Sequence, residues 1–144
     1  MKQQILIILA IFFIIICVIC GVLINIQSEK NIIKQENKEY EKYIDKEILG
    51  TDLATLIGKA VNTNEKNNIS KDDNGYYIDN GKNSIKIDLK MTTLDKTYPM
   101  EEIYSKQITK FVQNFNLIKF KCTNIEYHED TGKVSKLVFE ELEN

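Results

Sequence analysis

The sequence begins with an apolar run that no charge, amide or proline interrupts. Twenty consecutive residues, from Ile5 to Ile24, belong to it. An α-helix rises about 1.5 Å per residue, so a helix of this length matches the roughly 30 Å hydrocarbon core of a bilayer. Ile, Leu, Phe and Val each favour insertion. The run therefore predicts a transmembrane helix that places Ile5, Phe12, Ile16 and Ile24 in the lipid bilayer.

Three alternatives to an uncleaved anchor fit the sequence less well. A cleaved signal peptide has a core of about 7–15 apolar residues and a small-residue cleavage site, which Asn25-Ile26-Gln27 does not supply. A lipoprotein site needs small residues before its cysteine, but Cys20 follows Val18-Ile19. A domain of this size rarely buries so long an apolar helix. Residues 1–26 are therefore predicted to form a single-pass signal anchor in the cell membrane.

The charges that flank the run bear on its orientation. Lys2 precedes it, and lysines interleaved with glutamates follow it as far as Lys42. Taken literally, the positive-inside rule favours a cytoplasmic C-terminal domain. Long domains translocate largely regardless of charge, however, and a basic segment before an apolar core is how signal anchors begin. We therefore expect the C-terminal domain to be extracytoplasmic.

Composition excludes some partners. All 19 basic residues are Lys, and the abundance of Ile and Asn is typical of an AT-rich bacterial genome. Arg, which supplies bidentate phosphate clamps and the commonest specific base contact, is absent from the sequence. From Ser28 onward, 18 Lys and 21 acidic residues give a net charge of −3. This balance argues against a nucleic-acid partner. Only Cys122 lies outside the apolar run, so the soluble part is predicted to lack an intramolecular disulfide.

Residues 27–49 are predicted to form a charged helical stalk. Neither Pro nor Gly occurs between Val22 and Leu49, so the membrane helix is expected to continue and to end at Gly50. Apolar residues recur along the stalk at helical spacing and form a narrow seam. Such a seam predicts contact with another helix, either of a partner protein or of a second copy. The predicted contact residues are Ile33, Tyr40, Tyr43 and Ile44.

Residues 50–144 are predicted to form an α+β domain. Thr51 and Asp52 suit the N-cap of a helix, and a polar loop is expected over residues 62–74. The apolar face of that helix comprises Leu53, Leu56, Ile57, Ala60 and Val61. Tyr76–Asp79 and Ser84–Met91 flank Asn80-Gly81, which predicts a hairpin. Apolar and polar residues alternate along its second strand, which predicts a half-buried strand with Ile85, Ile87, Leu89 and Met91 on the apolar side.

The second half of the domain repeats the hairpin pattern after a helix. Pro99 opens that helix, and Glu101 and Glu102 occupy its first turn. Its predicted buried stripe comprises Met100, Ile103, Tyr104, Ile108, Phe111, Val112 and Phe115. Phe120–His128 and Lys133–Leu142 then form the second hairpin. The whole is predicted to be a small antiparallel sheet of ββαββ order, packed with one or two helices.

No catalytic constellation is predicted. Cys122, Asn124, Glu126 and His128 share one face of an ideal strand, but no second His or Cys completes a tetrahedral metal set. Six residues of strand separate Cys122 from His128 by about 20 Å, so the two do not form a nucleophile–base pair. We therefore expect no enzymatic activity, no cofactor and no metal.

The acidic pairs have structural explanations. Glu101-Glu102 lies at a helix start and Glu140-Glu141 near the chain end, and the flanks are too polar to separate carboxyl pKa values for catalysis. Asp72-Asp73-Asn74-Gly75 lacks the Glu that completes an EF-hand loop, so a solvated loop is expected.

The order of these parts resembles a known architecture. A short N-terminus, an apolar helix, a charged helical stalk and a small sheet resemble the plan of type IV pilin-like and TadE-like proteins, and residues 50–57 (GTDLATLI) are similar to the segment after the membrane helix in some of them. The resemblance implies apolar helices packed in a filament or assembly platform. A pilin-like processing site would place Gly or Ala before the run and Glu near its fifth residue, whereas this run begins Gln4-Ile5 and contains no acid.

Two classes of function follow. The first is a structural or interaction protein, anchored by one helix, that binds another protein in a pilus-like or secretion assembly. The second is a membrane-tethered sensory or small-ligand-binding module, in which the sheet and the helix around Phe111–Phe115 enclose a pocket. A deep apolar pocket would favour the second, and an exposed edge strand would favour the first.

Overall fold

The computed structural model describes residues 2–105 and 108–142. Its helices and strands are α1 (Lys2–Glu41), β1 (Glu47–Leu49), α2 (Gly50–Lys66), β2 (Lys86–Met91), β3 (Lys96–Pro99), α3 (Met100–Ser105), α4 (Ile108–Phe115), β4 (Lys119–Tyr127) and β5 (Val134–Glu141). The fold is α+β: a long apolar helix followed by a five-stranded open mixed sheet packed with helices. The chain divides into two compact units, Met1–Gln35 and Glu36–Asn144.

Helix α1 continues past the apolar run, as predicted, but it is shorter than predicted. It ends at Glu41, and the expectation that it reaches Gly50 is wrong. The chain turns at Asp45, whose φ of 57° lies in the left-handed region that an α-helix excludes, and then enters β1. The predicted stalk, residues 27–49, is therefore helical only as far as Glu41.

Gly50 starts α2 where two stretches of backbone meet. Its N–H donates to the carbonyl oxygen of Ile118 over 3.0 Å. A Cβ at this position would overlap the carbonyl oxygen of Phe115. The glycine is therefore explained by close backbone approach rather than by a helix end. Thr51 and Asp52 lie inside the first turn of α2, where the carboxylate of Asp52 suits the positive end of the helix dipole.

The sheet has the strand order β1-β4-β5-β2-β3. Strand pairs are antiparallel except β2 and β5, which run parallel. The predicted all-antiparallel sheet is thus wrong for the pair that joins its two halves. A parallel pair needs a long crossover, and β3, α3, α4 and β4 lie between β2 and β5 in the chain.

The first predicted hairpin is also wrong. The side-chain oxygen of Asn80 accepts hydrogen bonds from the backbone N–H groups of Lys82, Asn83 and Ser84. This loop therefore closes on itself, and residues 76–79 do not pair with β2. Strand β2 instead forms its hairpin with β3. The second predicted hairpin is confirmed, because β4 and β5 pair antiparallel.

One face of the sheet carries the core. The five residues predicted for the apolar face of α2 are at most 2% exposed, and the predicted alternation along β2 buries Ile85, Ile87, Leu89 and Met91. Helix α2 runs on to Lys66, so the loop predicted to begin at residue 62 starts later. Of the stripe predicted after Pro99, Met100, Ile103 and Phe111 are buried and Ile108, Val112 and Phe115 pack against them, but Tyr104 is 41% exposed.

The opposite face of the sheet is polar. Lys136 pairs with Asp88 over 2.8 Å, and Lys90 pairs with Glu140 over 2.6 Å. These pairs join neighbouring strands at the surface, where each is worth less than about 1 kcal/mol. The sheet is therefore one-sided, and any cavity between layers must lie on its helical face.

Candidate binding cleft

A cleft opens on the helical face of the sheet, between strands β2 and β3 and helices α3 and α4. Its volume is about 280 Å³. The walls come from core side chains of both layers, and its apolar lining residues are Leu89, Met91, Leu94, Ile103, Phe111 and Phe115. Phe111 is 9% exposed, and its ring centroid lies 5.2 Å from that of Phe115. Two packed aromatic rings thus form the helical wall.

Polar groups are confined to a few positions around the cleft. Tyr98, Glu102, Lys110 and Asn114 complete the lining. Glu102 accepts a hydrogen bond of 3.0 Å from the hydroxyl of Tyr76, and it makes a further interaction as well. Lys110 has no ion-pair partner within residues 2–105 and 108–142. Of the two charged side chains that line the cleft, Glu102 thus has partners, and Lys110 has no ion-pair partner among the described residues.

The predicted contact residues of the stalk have different surroundings. Tyr40 is 5% exposed, its hydroxyl oxygen lies 3.4 Å from Oγ1 of Thr63, and burial raises the pKa of its hydroxyl. The ring of Tyr43 packs edge-on against Phe139, with centroids 6.4 Å apart. Both tyrosines therefore belong to the core of Glu36–Asn144, and Tyr40 is not available to a partner while this unit is folded.

The isoleucines of the same seam are more accessible. Ile44 follows α1 and is 38% exposed, and Ile33 lies on α1 within Met1–Gln35, where it is partly exposed. The sequence pattern treated the four residues alike because all have helical spacing. The structure separates the two tyrosines from the two isoleucines by packing, because Tyr40 and Tyr43 contact the core of Glu36–Asn144 and Ile33 and Ile44 are not part of it.

The predicted membrane residues lie on the surface of α1. Ile5, Phe12, Ile16 and Ile24 are 56%, 61%, 41% and 71% exposed. Among the described residues, α1 is the one helix long and apolar enough to cross a membrane, and none of its most apolar stretch is buried inside the chain. Such a continuous apolar surface is unfavourable in water.

Cys122 and His128 are both buried, at 2% and 4% exposure, but in separate places. The Cys122 thiol contacts the carbonyl of Asn124 at 3.6 Å, and burial raises its pKa. A β-bulge between Cys122 and Asn124 shifts the strand by one residue. Because of this bulge, Asn124 and Glu126 are exposed while Cys122 faces the core, so the shared face expected of these residues does not exist.

His128 is one of several buried polar groups that fasten loops. Its Nε2 lies 2.7 Å from the carbonyl oxygen of Ser84, and its Nδ1 lies 3.5 Å from a carboxylate oxygen of Asp79. That same oxygen accepts hydrogen bonds from the Gly81 N–H and the Ser84 hydroxyl, which lower the pKa of Asp79. The Ser84 hydroxyl thus donates to Asp79 and not to the imidazole, so these residues have no nucleophile–base geometry.

Two buried asparagines act in the same way. Asn64 donates to the carbonyl of Ile85 over 2.7 Å and accepts from the Ile85 N–H over 2.8 Å. Asn37, near the end of α1, donates to the carbonyl of Gly132 over 2.8 Å and accepts from the Val134 N–H over 3.0 Å. Each amide satisfies two backbone groups that burial would otherwise leave unpaired.

The acidic pairs have structural partners, as predicted, although one is more buried than expected. A carboxylate oxygen of Glu141, which is 6% exposed, accepts from the N–H and hydroxyl of Thr93 over 3.1 and 2.7 Å. A carboxylate oxygen of Asp72 accepts two backbone N–H groups, each over 2.9 Å. Over residues 2–105 and 108–142, no group of three His, Cys, Asp or Glu residues is placed to hold a metal ion.

The apolar pattern of the sequence predicts the residues that form the walls of the cleft but not the gap between them. Phe111, Phe115 and Leu89 were identified as apolar positions, and the pocket was one of two alternatives. Lys110, Asn114 and Leu94 were not singled out. No local pattern marks them, because the opening depends on how far α3 and α4 cover the sheet.

Comparison with known proteins adds no relative. No protein-family model, curated protein or solved structure matches this chain.

Proposed function

We propose that this protein is a single-pass membrane-anchored binding protein whose α+β domain contacts another protein outside the cytoplasm. The observation that carries the proposal is the exposure of α1. The described residues leave its most apolar stretch uncovered, and its length suits a bilayer. The domain then acts within reach of the membrane. The pilin-like arrangement, with apolar helices packed against those of neighbours, is the more specific form of this proposal.

An incompletely covered strand supports a protein partner. Strand β1 pairs only with Lys119–Lys121 of β4, and a single bridge joins Ile44 to Cys122. Within the described residues, the outer edge of Thr123–Tyr127 has no partner strand. Unpaired strand edges accept a strand from another chain, and backbone hydrogen bonds supply much of the affinity. Two register shifts between β4 and β5, at Cys122–Asn124 and at Glu126–Tyr127, limit this pairing to a short segment.

Membrane anchoring is tested by alkaline carbonate extraction of bacterial membranes that contain the full chain. The protein should stay with the membrane, whereas deletion of Ile5–Ile24 should release it. A soluble product of the intact gene that starts near Gln27 would contradict the anchor.

Orientation is tested with a membrane-impermeant maleimide. Because Cys122 is buried, the reporter should be Lys82→Cys, which lies in an exposed loop, in a chain whose three native cysteines are Ser. Labelling of intact cells supports an extracytoplasmic domain. Labelling only after lysis contradicts it.

Photo-crosslinking tests protein contact. Probes at Ile33, Ile44 and Thr123 should capture a protein, either another copy or a different chain. A probe at Lys136 is the control, because this residue points to the opposite face of the sheet and pairs with Asp88. Capture by none of the three test positions would contradict the contact model.

A second candidate function is a membrane-tethered module that binds a small molecule. The specific observation in its favour is the cleft of about 280 Å³, which lies where the sheet meets Phe111 and Phe115. Clefts with apolar walls and a few polar groups are the usual form of small-molecule sites.

A further inference from the structure

The cleft reaches side chains that a close-packed domain would cover. Leu89 and Met91 are 1% and 2% exposed, yet both line an opening of about 280 Å³. Protein interiors normally leave few voids larger than a water molecule. An opening of this size against fixed core residues is therefore suited to hold another molecule, and its walls are formed without that molecule.

The walls select the body of the ligand. Aliphatic and aromatic side chains from the sheet and from α4 surround the opening, and Met91 offers a polarizable surface that adapts to shape. Small-molecule sites occupy roughly 300–1,000 Å³, and this cleft, at about 280 Å³, is slightly smaller than that range. A single short alkyl chain suits it, and a complete phospholipid does not.

The polar groups select the head of the ligand. Glu102 already accepts the Tyr76 hydroxyl, whereas Lys110 has no ion-pair partner within the described chain. Lys110 and Asn114 lie one turn apart on α4, and both line the cleft. One ammonium and one amide match a singly charged carboxylate. Phosphate groups are more often held by several donors or by the planar fork of Arg.

We propose that the cleft binds an amphipathic monocarboxylate, with a short alkyl chain between the sheet and α4 and the carboxylate at Lys110 and Asn114. This proposal rests on the second candidate function and names its ligand class. It does not depend on a protein partner.

The test uses the full chain in lipid nanodiscs and two photoreactive probes. One probe is decanoic acid that carries a diazirine on its alkyl chain, and the other is the matching decanol. After irradiation, mass spectrometry locates the label along the chain. The acid should label residues between Leu89 and Phe115 about two- to fivefold more than the alcohol. This ratio corresponds to an exposed ion pair of about 0.5–1 kcal/mol.

Three variants connect the label to the cleft. Lys110→Glu should bring the acid-to-alcohol ratio to about one or below, whereas Lys82→Glu, the matched control at an exposed lysine outside the cleft, should keep it. Leu94→Trp enlarges a side chain that lines the cleft and is 56% exposed, and it should reduce labelling by both probes. Protection of Cys122 from maleimide confirms that each variant is folded.

The outcomes separate the ligand class from the site. Equal labelling by acid and alcohol, unaffected by Lys110→Glu but reduced by Leu94→Trp, overturns the carboxylate proposal and leaves the cleft as a binding site. If the label is confined to α1, or if Leu94→Trp does not change the labelling, the cleft is not the binding site either. Neither result touches the membrane anchor, which carbonate extraction tests separately.

Discussion

The two units of this protein treat apolar surface in opposite ways. In Met1–Gln35, apolar side chains of α1 lie on the surface, and Phe12 is 61% exposed. In Glu36–Asn144, Phe120 and Phe139 are both 0% exposed. The second unit therefore builds its own apolar interior, whereas the first needs a bilayer or another helix to cover it. Phenylalanine is therefore exposed in the first unit and buried in the second.

The largest expected effect comes from one substitution made in both units. Phe120→Ala should lower the free energy of unfolding of the domain by about 3–5 kcal/mol, because it removes a fully buried ring. Phe12→Ala should change it by less than about 0.5 kcal/mol. Urea-dependent modification of Cys122 by maleimide, with the full chain in detergent micelles, measures both. If Phe12→Ala and Phe120→Ala lowered the free energy of unfolding equally, the two units would unfold together.

A second pair of substitutions locates the point along α1 where side chains change from exposed to buried. Tyr40→Ala should cost about 3 kcal/mol, since Tyr40 is 5% exposed, whereas Ile32→Ala, at a residue 50% exposed, should cost less than about 0.5 kcal/mol. The same maleimide assay applies. Tyr40→Phe, which removes only the hydroxyl near Thr63, should cost less than about 1 kcal/mol. If Tyr40→Ala leaves the free energy of unfolding unchanged, Tyr40 is not part of the core and is available for contact with a partner, as the sequence predicts.

A smaller effect tests whether buried amides fasten the domain. Asn64→Ala should cost about 2–3 kcal/mol, because the N–H and carbonyl of Ile85 both lose a partner. Asn62→Ala is the matched control on the same helix. Asn62 is exposed, so its replacement should be neutral or stabilise by up to about 0.5 kcal/mol through helix propensity. If the two variants unfold at the same urea concentration, the Asn64 hydrogen bonds contribute nothing.

The smallest effect is a pH dependence. The Gly81 N–H and then the Ser84 hydroxyl lower the pKa of Asp79, so its stabilising contribution is present above the unfolded-state pKa of about 3.9 and is lost as pH falls through the folded-state value. The side chain is 56% exposed, so the contribution should be below about 1 kcal/mol.

Asp79→Asn measures this contribution directly. Wild type should be more stable than the variant at pH 7, and the difference should shrink as pH falls below about 3.9 and through the lower folded-state pKa of Asp79. Near-ultraviolet circular dichroism reports on the domain, because all seven tyrosines lie at residue 40 or later. Asp73→Asn, at an exposed loop carboxylate, is the control. A stability difference between wild type and Asp79→Asn that grows as pH falls would contradict the stabilising role of the Asp79 carboxylate.

Local patterns predicted much of the fold. The helix of the apolar run, the face of α2, the alternation of β2 and the β4–β5 hairpin are each confirmed, because each depends on the composition or periodicity of residues close together in the chain. The prediction failed where distant segments compete for a residue. Gly50 signals a helix end locally, but the backbone of Phe115 requires it. Asn80-Gly81 signals a hairpin, but Asn80 binds the N–H groups of its own loop.

The candidate site was predictable only as one of two alternatives. The sequence marks Leu89, Phe111 and Phe115 as apolar, and that pattern is the same whether or not a cleft lies between them. Lys110 acquires its interest only because no described carboxylate pairs with it while Glu102 is already engaged. Charge pairing of this kind depends on three-dimensional distances that spacing along the chain does not contain.

The sequence by itself determined that this chain carries a helix able to span a bilayer, followed by an α+β domain with one polar and one apolar face. Run length and periodicity suffice for both, because insertion and burial depend on summed apolar surface. Only the tertiary structure decided that α1 ends at Glu41, that β2 and β5 run parallel, that Tyr40 is buried, and that a cleft remains beside Lys110. These features arise from contacts between residues far apart in the chain, which compete with local preferences and override them.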